Sequence, residues 1–309
     1  MGPTASGKTD FALRLADTTA IDIISVDSAM IYKGMDIGTA KPTAAVQQRY
    51  PHRLIDLKDP LESYSAAEFV TDARKCVEAA LAARRLPVLV GGTMLYFKAF
   101  KEGLADIPET PPEVRKRLAQ RAREEGLAVL HAELTRVDPV AARGIHPKNP
   151  QRLLRALEVY LSSGQRISDL WARQQRGGVA AALGCRLIEL TIEPPRALVH
   201  ERIATRFAGM LDAGLLDEVR ALMARGDLSV TLPSLRAVGY RQVWEHLSGN
   251  VDHDTMVLRA IAATRQLAKR QFTWLRSWRG KTLVIDVEQV NMGAILQSIR
   301  GAPIVRRSS

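Results

Sequence analysis

The chain has only two cysteines in 309 residues. Cys76 and Cys185 stand apart, with no C-x-x-C pair and no neighbouring histidine. That excludes a disulfide framework and a thiolate zinc site, and it fits a reducing compartment, so a cytoplasmic location is expected. The six histidines are scattered, which leaves no metal cluster and no histidine-based triad. No apolar run approaches the roughly 18 residues needed to cross a bilayer, and no stretch has a signal-peptide pattern. Internal repeats and long low-complexity runs are absent too. No spacing calls for a permanent oligomer, so a monomer is expected.

Much else is present. Hydrophobic residues make up 46%, enough for a real core, and the length suits two domains. The formal net charge is +11, which points toward a polyanionic partner without identifying one.

Near the start, Gly2-Pro3-Thr4-Ala5-Ser6-Gly7-Lys8-Thr9 fits G-x-x-x-x-G-K-[ST], the phosphate-cradling loop of many ATP-binding and other nucleotide-binding proteins. The chemistry needs these residue types. Gly2 and Gly7 permit backbone conformations that turn successive N–H groups onto one anion. The helix expected from Lys8 to Leu15 adds its positive N-terminal end. Lys8 supplies a cation, and the Thr9 hydroxyl can ligate Mg²⁺.

An apolar run from Ile21 to Val26, ending at Asp27, reads as a buried parallel strand. Helix Ala66 to Arg84 and strand Pro87 to Val90 follow, the latter stopped by Gly91-Gly92-Thr93. Strand, helix and strand after a phosphate loop define an α/β fold, a P-loop-type parallel sheet flanked by helices. From Ile107 to about Leu183 the sequence turns helical and strongly basic, with Arg115, Lys116, Arg117, Arg121 and Arg123 on a helix opened by Pro111-Pro112. Pro150 opens another, and Gly177-Gly178 forms the exit. This block reads as an inserted helical domain, 107–183, in a core made of 1–106 and 184–309. Strands return at Arg186 to Ile192 and Leu283 to Val287, with helices Pro195 to Asp212 and Asp254 to about Arg276 between them. Arg300 to Ser309 is expected to fray.

In open parallel sheets, ligands sit beyond the carboxyl ends of the strands. Asp27, Thr9 and Thr93 are therefore expected to converge. Asp27 could serve as a general base, a magnesium ligand or a helix cap. Arg202 and Arg206, four apart, share a helix face that could neutralise an anion or simply face solvent. Arg259 to Lys281 holds seven basic residues, no acidic one, and Trp274 and Trp278. It could bind an RNA backbone with stacking, or be a solvated face over buried tryptophans.

Taken in order, these segments resemble the tRNA dimethylallyltransferase family. Besides the phosphate loop, the likeness lies in Ser25 to Ala29, Ile31-Tyr32, Met35 to Pro42, Gly91 to Tyr96, Pro150 to Val159, Arg236 to Gln242 and Arg265 to Arg276, which span nearly the whole chain. The resemblance implies that the loop holds the diphosphate of dimethylallyl diphosphate, with Mg²⁺ as cofactor. The prenyl group would pass to N6 of the adenosine just 3′ of the tRNA anticodon. Lys8, Thr9 and Arg206 would stabilise the departing diphosphate, Asp27 would accept the N6 proton, and Thr93 would help hold the reacting groups. Because the target base must reach a recessed site, base flipping is implied. For tRNA contacts the resemblance implies Asp27, Ser28, Ala29, Met30 and Thr93. To these it adds Arg115, Gln151, Arg152, Leu153, Leu154 and Arg155 in the insertion, which would clamp the anticodon arm. It also implies Arg236, Ala237, Val238, Gly239, Tyr240 and Arg241, and Lys269, Arg270, Gln271, Phe272, Thr273, Trp274, Leu275 and Arg276. One departure stands out. Family members carry an apolar strand before the loop, and here only Met1 precedes it, so the expectation is a missing first strand, with either a true start upstream or a weakened product.

Two other readings use the same features. A small-molecule kinase or NTPase would employ the loop on a nucleotide, with the basic insertion as a lid. A non-catalytic RNA-binding module would keep only a relic of it, against which the intact Lys8, Thr9, Asp27 and Arg206 argue.

Overall fold

The computed structural model describes residues 1–173, 177–278, 282–286 and 292–300. The elements run α1 (Lys8–Ala16), β1 (Ile21–Val26), α2 (Ala44–Arg49), β2 (His52–Arg53), α3 (Ala66–Ala82), β3 (Leu86–Gly91) and α4 (Met94–Glu102). Five helices follow: α5 (Pro112–Glu124), α6 (Leu127–Val137), α7 (Pro139–Gly144), α8 (Pro150–Ser163) and α9 (Ile167–Arg173). The chain continues with α10 (Val179–Ala182), β4 (Glu189–Thr191), α11 (Arg196–Asp212), α12 (Leu215–Ala224), α13 (Tyr240–Leu247), α14 (His253–Arg276), β5 (Thr282–Val284) and α15 (Met292–Arg300).

Two compact units result, Met1–Lys101 with Val179–Ser309, and Glu102–Gly178. The insertion thus starts and stops a few residues earlier than 107–183. Its boundary follows the backbone packing of Glu102 and Val179, which composition does not register.

In the larger unit all strands are parallel, in the orders β2-β1-β3 and β4-β5. Every residue of β1 is buried, the polar Asp22 and Ser25 among its apolar neighbours included. Gly91 lies opposite Val26 in the register, and a Cβ there would fall 2.0 Å from the Val26 carbonyl oxygen. Only glycine lets the chain leave β3 beside the end of β1. Helix α3 opens with a capping box, Ser65 Oγ accepting from the Glu68 N–H and Glu68 Oε2 from the Ser65 N–H. Its Phe69, Ala73, Val77 and Ala80 form one buried stripe, with Phe69 stacked on Tyr96 at 4.6 Å. Met1 donates to Leu190 O (2.7 Å) and accepts from Ile192 N–H (2.9 Å), so the backbone just before the phosphate loop is a parallel neighbour of β4.

Sequence patterning missed β2, which has two residues and no alternation to read. It overextended the strand at 186–192, of which only Glu189–Thr191 is ladder. Residues 287 and 301–309, at the ends of the expected last strand and fraying tail, lie outside the described residues.

The smaller unit has its own core, built from Leu118, Leu130, Leu134, Leu153, Leu157 and Ile167 among others. Asn149 caps α8 with Pro150 at its first position. Asp138 is buried and accepts from Ala141 N–H, Ser168 N–H and the Ser168 hydroxyl. Burial opposes its charge, but these hydrogen bonds prevail and hold its carboxyl below the usual range.

The loop between β1 and α2 is fixed from two sides. Lys41, its side chain 2% exposed, donates to Tyr32 O (2.9 Å) and to the carboxylates of Asp36 and Asp56. Glu218 of α12 accepts from the backbone N–H groups of Asp36 (2.9 Å), Ile37 (2.8 Å) and Gly38 (3.1 Å) and from the Tyr240 hydroxyl (2.5 Å). Gly38 is pressed against the Tyr240 ring, where a Cβ would come within 2.5 Å. Burial and the Glu218 carboxylate together raise the Tyr240 hydroxyl far above its ordinary pKa, so it stays a donor. Glu218→Ala is expected to lower stability by about 2 kcal/mol, the scale of charge-assisted hydrogen bonds lost together. A urea midpoint equal to that of the unsubstituted chain would show that water replaces the carboxylate without loss.

Candidate active site

The phosphate loop forms because its backbone is bent at two points. Ala5 has φ 60° and Gly7 φ 87°. Gly7 caps α1, and Ala5 holds a left-handed conformation that costs about 1–2 kcal/mol in an L-residue. Gly2 is needed for close approach, since a Cβ would lie 2.6 Å from Ile192 O and 2.8 Å from Ser6 Oγ. The Ser6 hydroxyl is buried and has no hydrogen-bond partner among the described residues. Lys8 Nζ donates to Pro3 O at 2.6 Å.

A cavity of about 350 Å³ opens here, lined by Ala5, Ser6, Gly7, Lys8, Thr9, Asp10, Arg202 and Arg206. Three cations and one carboxylate, with the N-terminus of α1, make it an anion site. Desolvation lowers the Lys8 ammonium to about 8. Asp27 opposes that shift and Arg206 adds to it. Burial also lowers Arg206, which Asp10 partly offsets, and a guanidinium so placed remains charged at neutral pH.

A second cleft of about 560 Å³ shares Lys8, Thr9 and Arg206 with the first. Asp27, Ser28, Ala29, Met30 and Thr93 line it from the ends of β1 and β3, so Asp27, Thr9 and Thr93 do meet as expected. Asp27 Oδ1 accepts from the Ala29 (2.8 Å) and Met30 (3.3 Å) N–H groups, closing the turn after β1. Oδ2 makes no hydrogen bond among the described residues. Thr93 Oγ1 accepts from Ser28 N–H at 3.1 Å and so ties that turn to the end of β3. Ile203, Phe207 and Met210 of α11 give the cleft an apolar wall, and Gly38, Thr39, Ala40 and Pro42 another side.

Of the residues implied for RNA, Arg236, Ala237, Val238, Gly239, Arg270, Gln271 and Trp274 line the cleft. Others do not. Tyr240, Phe272 and Leu275 are core residues, and so is Leu153 in the smaller unit, so their side chains have no surface to offer a polyanion. They share short segments with contact candidates because one helix turn alternates inward and outward faces. Lys269, Thr273 and Arg276 are exposed on α14, and Arg241 is exposed beside Glu245. In the smaller unit Gln151 and Arg152 are exposed, Leu154 is half-buried, and Arg115 lies 3.9 Å from Glu158. Arg155 is committed to Thr110 Oγ1 (2.5 Å), Pro108 O (3.1 Å) and Glu158 (3.5 Å), which makes it a brace of that unit. Arg279 and Lys281 lie outside the described residues.

Sequence reasoning assigned no role to the loop from Gly38 to Pro42 or to Glu218. The crowding of Gly38 against Tyr240 was not visible without the fold. One expected donor is also diverted: the Thr4 N–H points to Gln271 Oε1 at 2.8 Å.

The parallel sheet flanked by helices, with a cationic cavity beside a carboxylate-bearing cleft, defines an α/β protein. The family model for IPP transferase matches residues 30–278. A tRNA dimethylallyltransferase of Chromohalobacter salexigens is 53% identical over 303 residues, 98% of this chain and 96% of that protein. The chain therefore belongs to the IPP transferase family. Among solved structures, the full-length tRNA isopentenylpyrophosphate transferase of Bacillus halodurans is 34% identical with a TM-score of 0.67, covering 97% of this chain and 94% of that one. A eukaryotic dimethylallyltransferase acting on tRNA shares the fold at TM-score 0.80 with 22% identity, covering 99% and 79%.

The lowered Lys8 gives a pH prediction. A bound anion favours the ammonium and raises its pKa, so affinity is full below about 8 and falls as pH rises through that value. Calorimetry with inorganic diphosphate in two buffers of different ionisation heat should show proton uptake near pH 8 that Lys8→Met removes. Equal uptake in both proteins would place the titration in the ligand alone.

Proposed function

We propose that this chain transfers the dimethylallyl group of dimethylallyl diphosphate to N6 of the adenosine 3′-adjacent to a tRNA anticodon, releasing diphosphate. The single observation that carries the reading is the meeting of a cationic loop cavity with Asp27 and Thr93 in one cleft. Family membership supports transfer of this group to tRNA.

The diphosphate sits against Ser6, Gly7, Lys8 and Thr9, with Arg202 and Arg206 over it. The apolar wall of Ile203, Phe207 and Met210 suits an isoprenoid chain. The N6 lone pair attacks the allylic carbon as the carbon–oxygen bond breaks, and the bonding pair leaves with the diphosphate. Lys8, Arg206 and the loop N–H groups meet the charge that develops there. The N6 proton passes to the Asp27 carboxylate. An ordinary carboxylate suffices, because an amine nitrogen grows acidic as it alkylates.

The residues fit a magnesium ion. The Thr9 hydroxyl is a hard oxygen donor at the junction of the two cavities, and Mg²⁺ needs few protein ligands when phosphates supply the rest. When bound, the ion would neutralise part of the leaving group's charge.

Arg236, Arg270, Lys269 and Arg276 are the cations we assign to the RNA backbone in the larger unit, with the cations Arg115 and Arg152 and the neutral amide of Gln151 in the smaller. The target base leaves its stack to reach Asp27. No described helix is long and apolar enough to cross a membrane. Action as a cytoplasmic monomer is part of the proposal.

Asp27→Asn is the sharper test of the base, because its amide oxygen can still close the turn to Ala29 and Met30. Single-turnover transfer of labelled prenyl groups should fall about 10²–10⁴-fold with tRNA affinity unchanged. A parallel loss of both would assign Asp27 to structure. Lys269→Ala should weaken tRNA binding and reduce the slope of log affinity against log salt by about 0.7–0.9. An unchanged slope would mean that Lys269 meets no phosphate.

A further inference from the structure

Gln271 sits on the inner side of α14 and is buried, 8% exposed. Its Oε1 accepts from the Thr4 N–H at 2.8 Å, and its Nε2 donates to Gly92 O at 2.9 Å. One amide thus joins the phosphate loop to the loop that leaves β3. Each end lies next to a working part of the site. Thr4 follows Pro3, whose carbonyl holds Lys8 Nζ at 2.6 Å. Gly92 precedes Thr93, whose Oγ1 accepts from Ser28 N–H beside Asp27. The fit is close, since a Cβ on Gly92 would come within 2.4 Å of Gln271 Nε2.

We infer that Gln271 is a positioning residue that sets the spacing between the anion cradle and the Asp27–Thr93 side of the cleft. It makes no contact with RNA, although it lies within the segment 269–276 that the family resemblance assigned to tRNA. The inference rests on the function proposed above. An uncharged amide suits the task because it offers an acceptor to Thr4 and a donor to Gly92 at one length. A carboxylate keeps the first bond and turns a negative oxygen on the Gly92 carbonyl. A thioether keeps neither.

Gln271→Met and Gln271→Glu, made in the full chain, preserve side-chain size and separate these cases. With Mg²⁺ present, inorganic diphosphate should bind several-fold more weakly to both. Single-turnover transfer by Gln271→Met should fall about a hundredfold, the scale of a small misplacement of reacting groups, with tRNA affinity held. The Glu variant should behave like Met at pH 8 and recover relative to the unsubstituted chain toward pH 6, because a protonated carboxyl regains a donor for Gly92 O. The Met variant should show no such recovery. Weaker tRNA binding with an unchanged rate in the bound complex would make Gln271 an RNA contact and overturn the inference. So would an unchanged rate, a flat pH ratio for the Glu variant, or an equal fall of diphosphate affinity, tRNA affinity and rate. If the unsubstituted chain transfers no label, the function fails instead, and diphosphate affinity still tests the brace.

Discussion

The constraint on which the rest depends is electrostatic. Positive charge must be held in a partly desolvated cavity before any anion arrives. Desolvation brings Lys8 down to about 8, and only Asp27 opposes it among the largest influences. Arg206 suffers the same desolvation. Such a site exists only if the backbone around it is rigid enough not to relax onto its own cations. The close packing seen here follows from that need. Gly2 packs against the Ile192 carbonyl, Ala5 and Gly7 take left-handed backbone, and Gln271 fastens Thr4.

The same logic explains the arrangement at the other side of the cleft. Asp27 closes its own turn with one oxygen, Oδ1. Thr93 locks that turn to the end of β3, and Gly91 allows the two strand ends to approach. Lys41 and Glu218 pin the loop that forms a further side. Cradle, carboxylate and walls each rest on different elements, so their common geometry depends on a few polar contacts between loops.

How much of this could be read in the chain follows from the range of each signal. The phosphate loop, α1, β1, α3 and β3 were legible because their signals are local: fixed glycine spacing, mostly apolar runs and apolar residues at helical spacing. Asp27, Thr9 and Thr93 could be grouped because parallel sheets place ligands at one edge. The two-residue β2 carries no pattern to recognise. Leu153, Tyr240, Phe272 and Leu275 were drawn into binding segments by proximity in sequence, and burial removes their side chains from any surface. Gln271 looked like part of a basic strip. Its role depends on Thr4 and Gly92, which lie 267 and 179 residues away, and no spacing rule reaches that far.

The most direct measurement supplies Mg²⁺, labelled dimethylallyl diphosphate, ATP and unmodified tRNA to the full chain and follows both the label and the phosphates. The account predicts one labelled adenosine per tRNA, next to the anticodon on its 3′ side, with one diphosphate released per label and ATP untouched. ATP turnover without label on tRNA would contradict it.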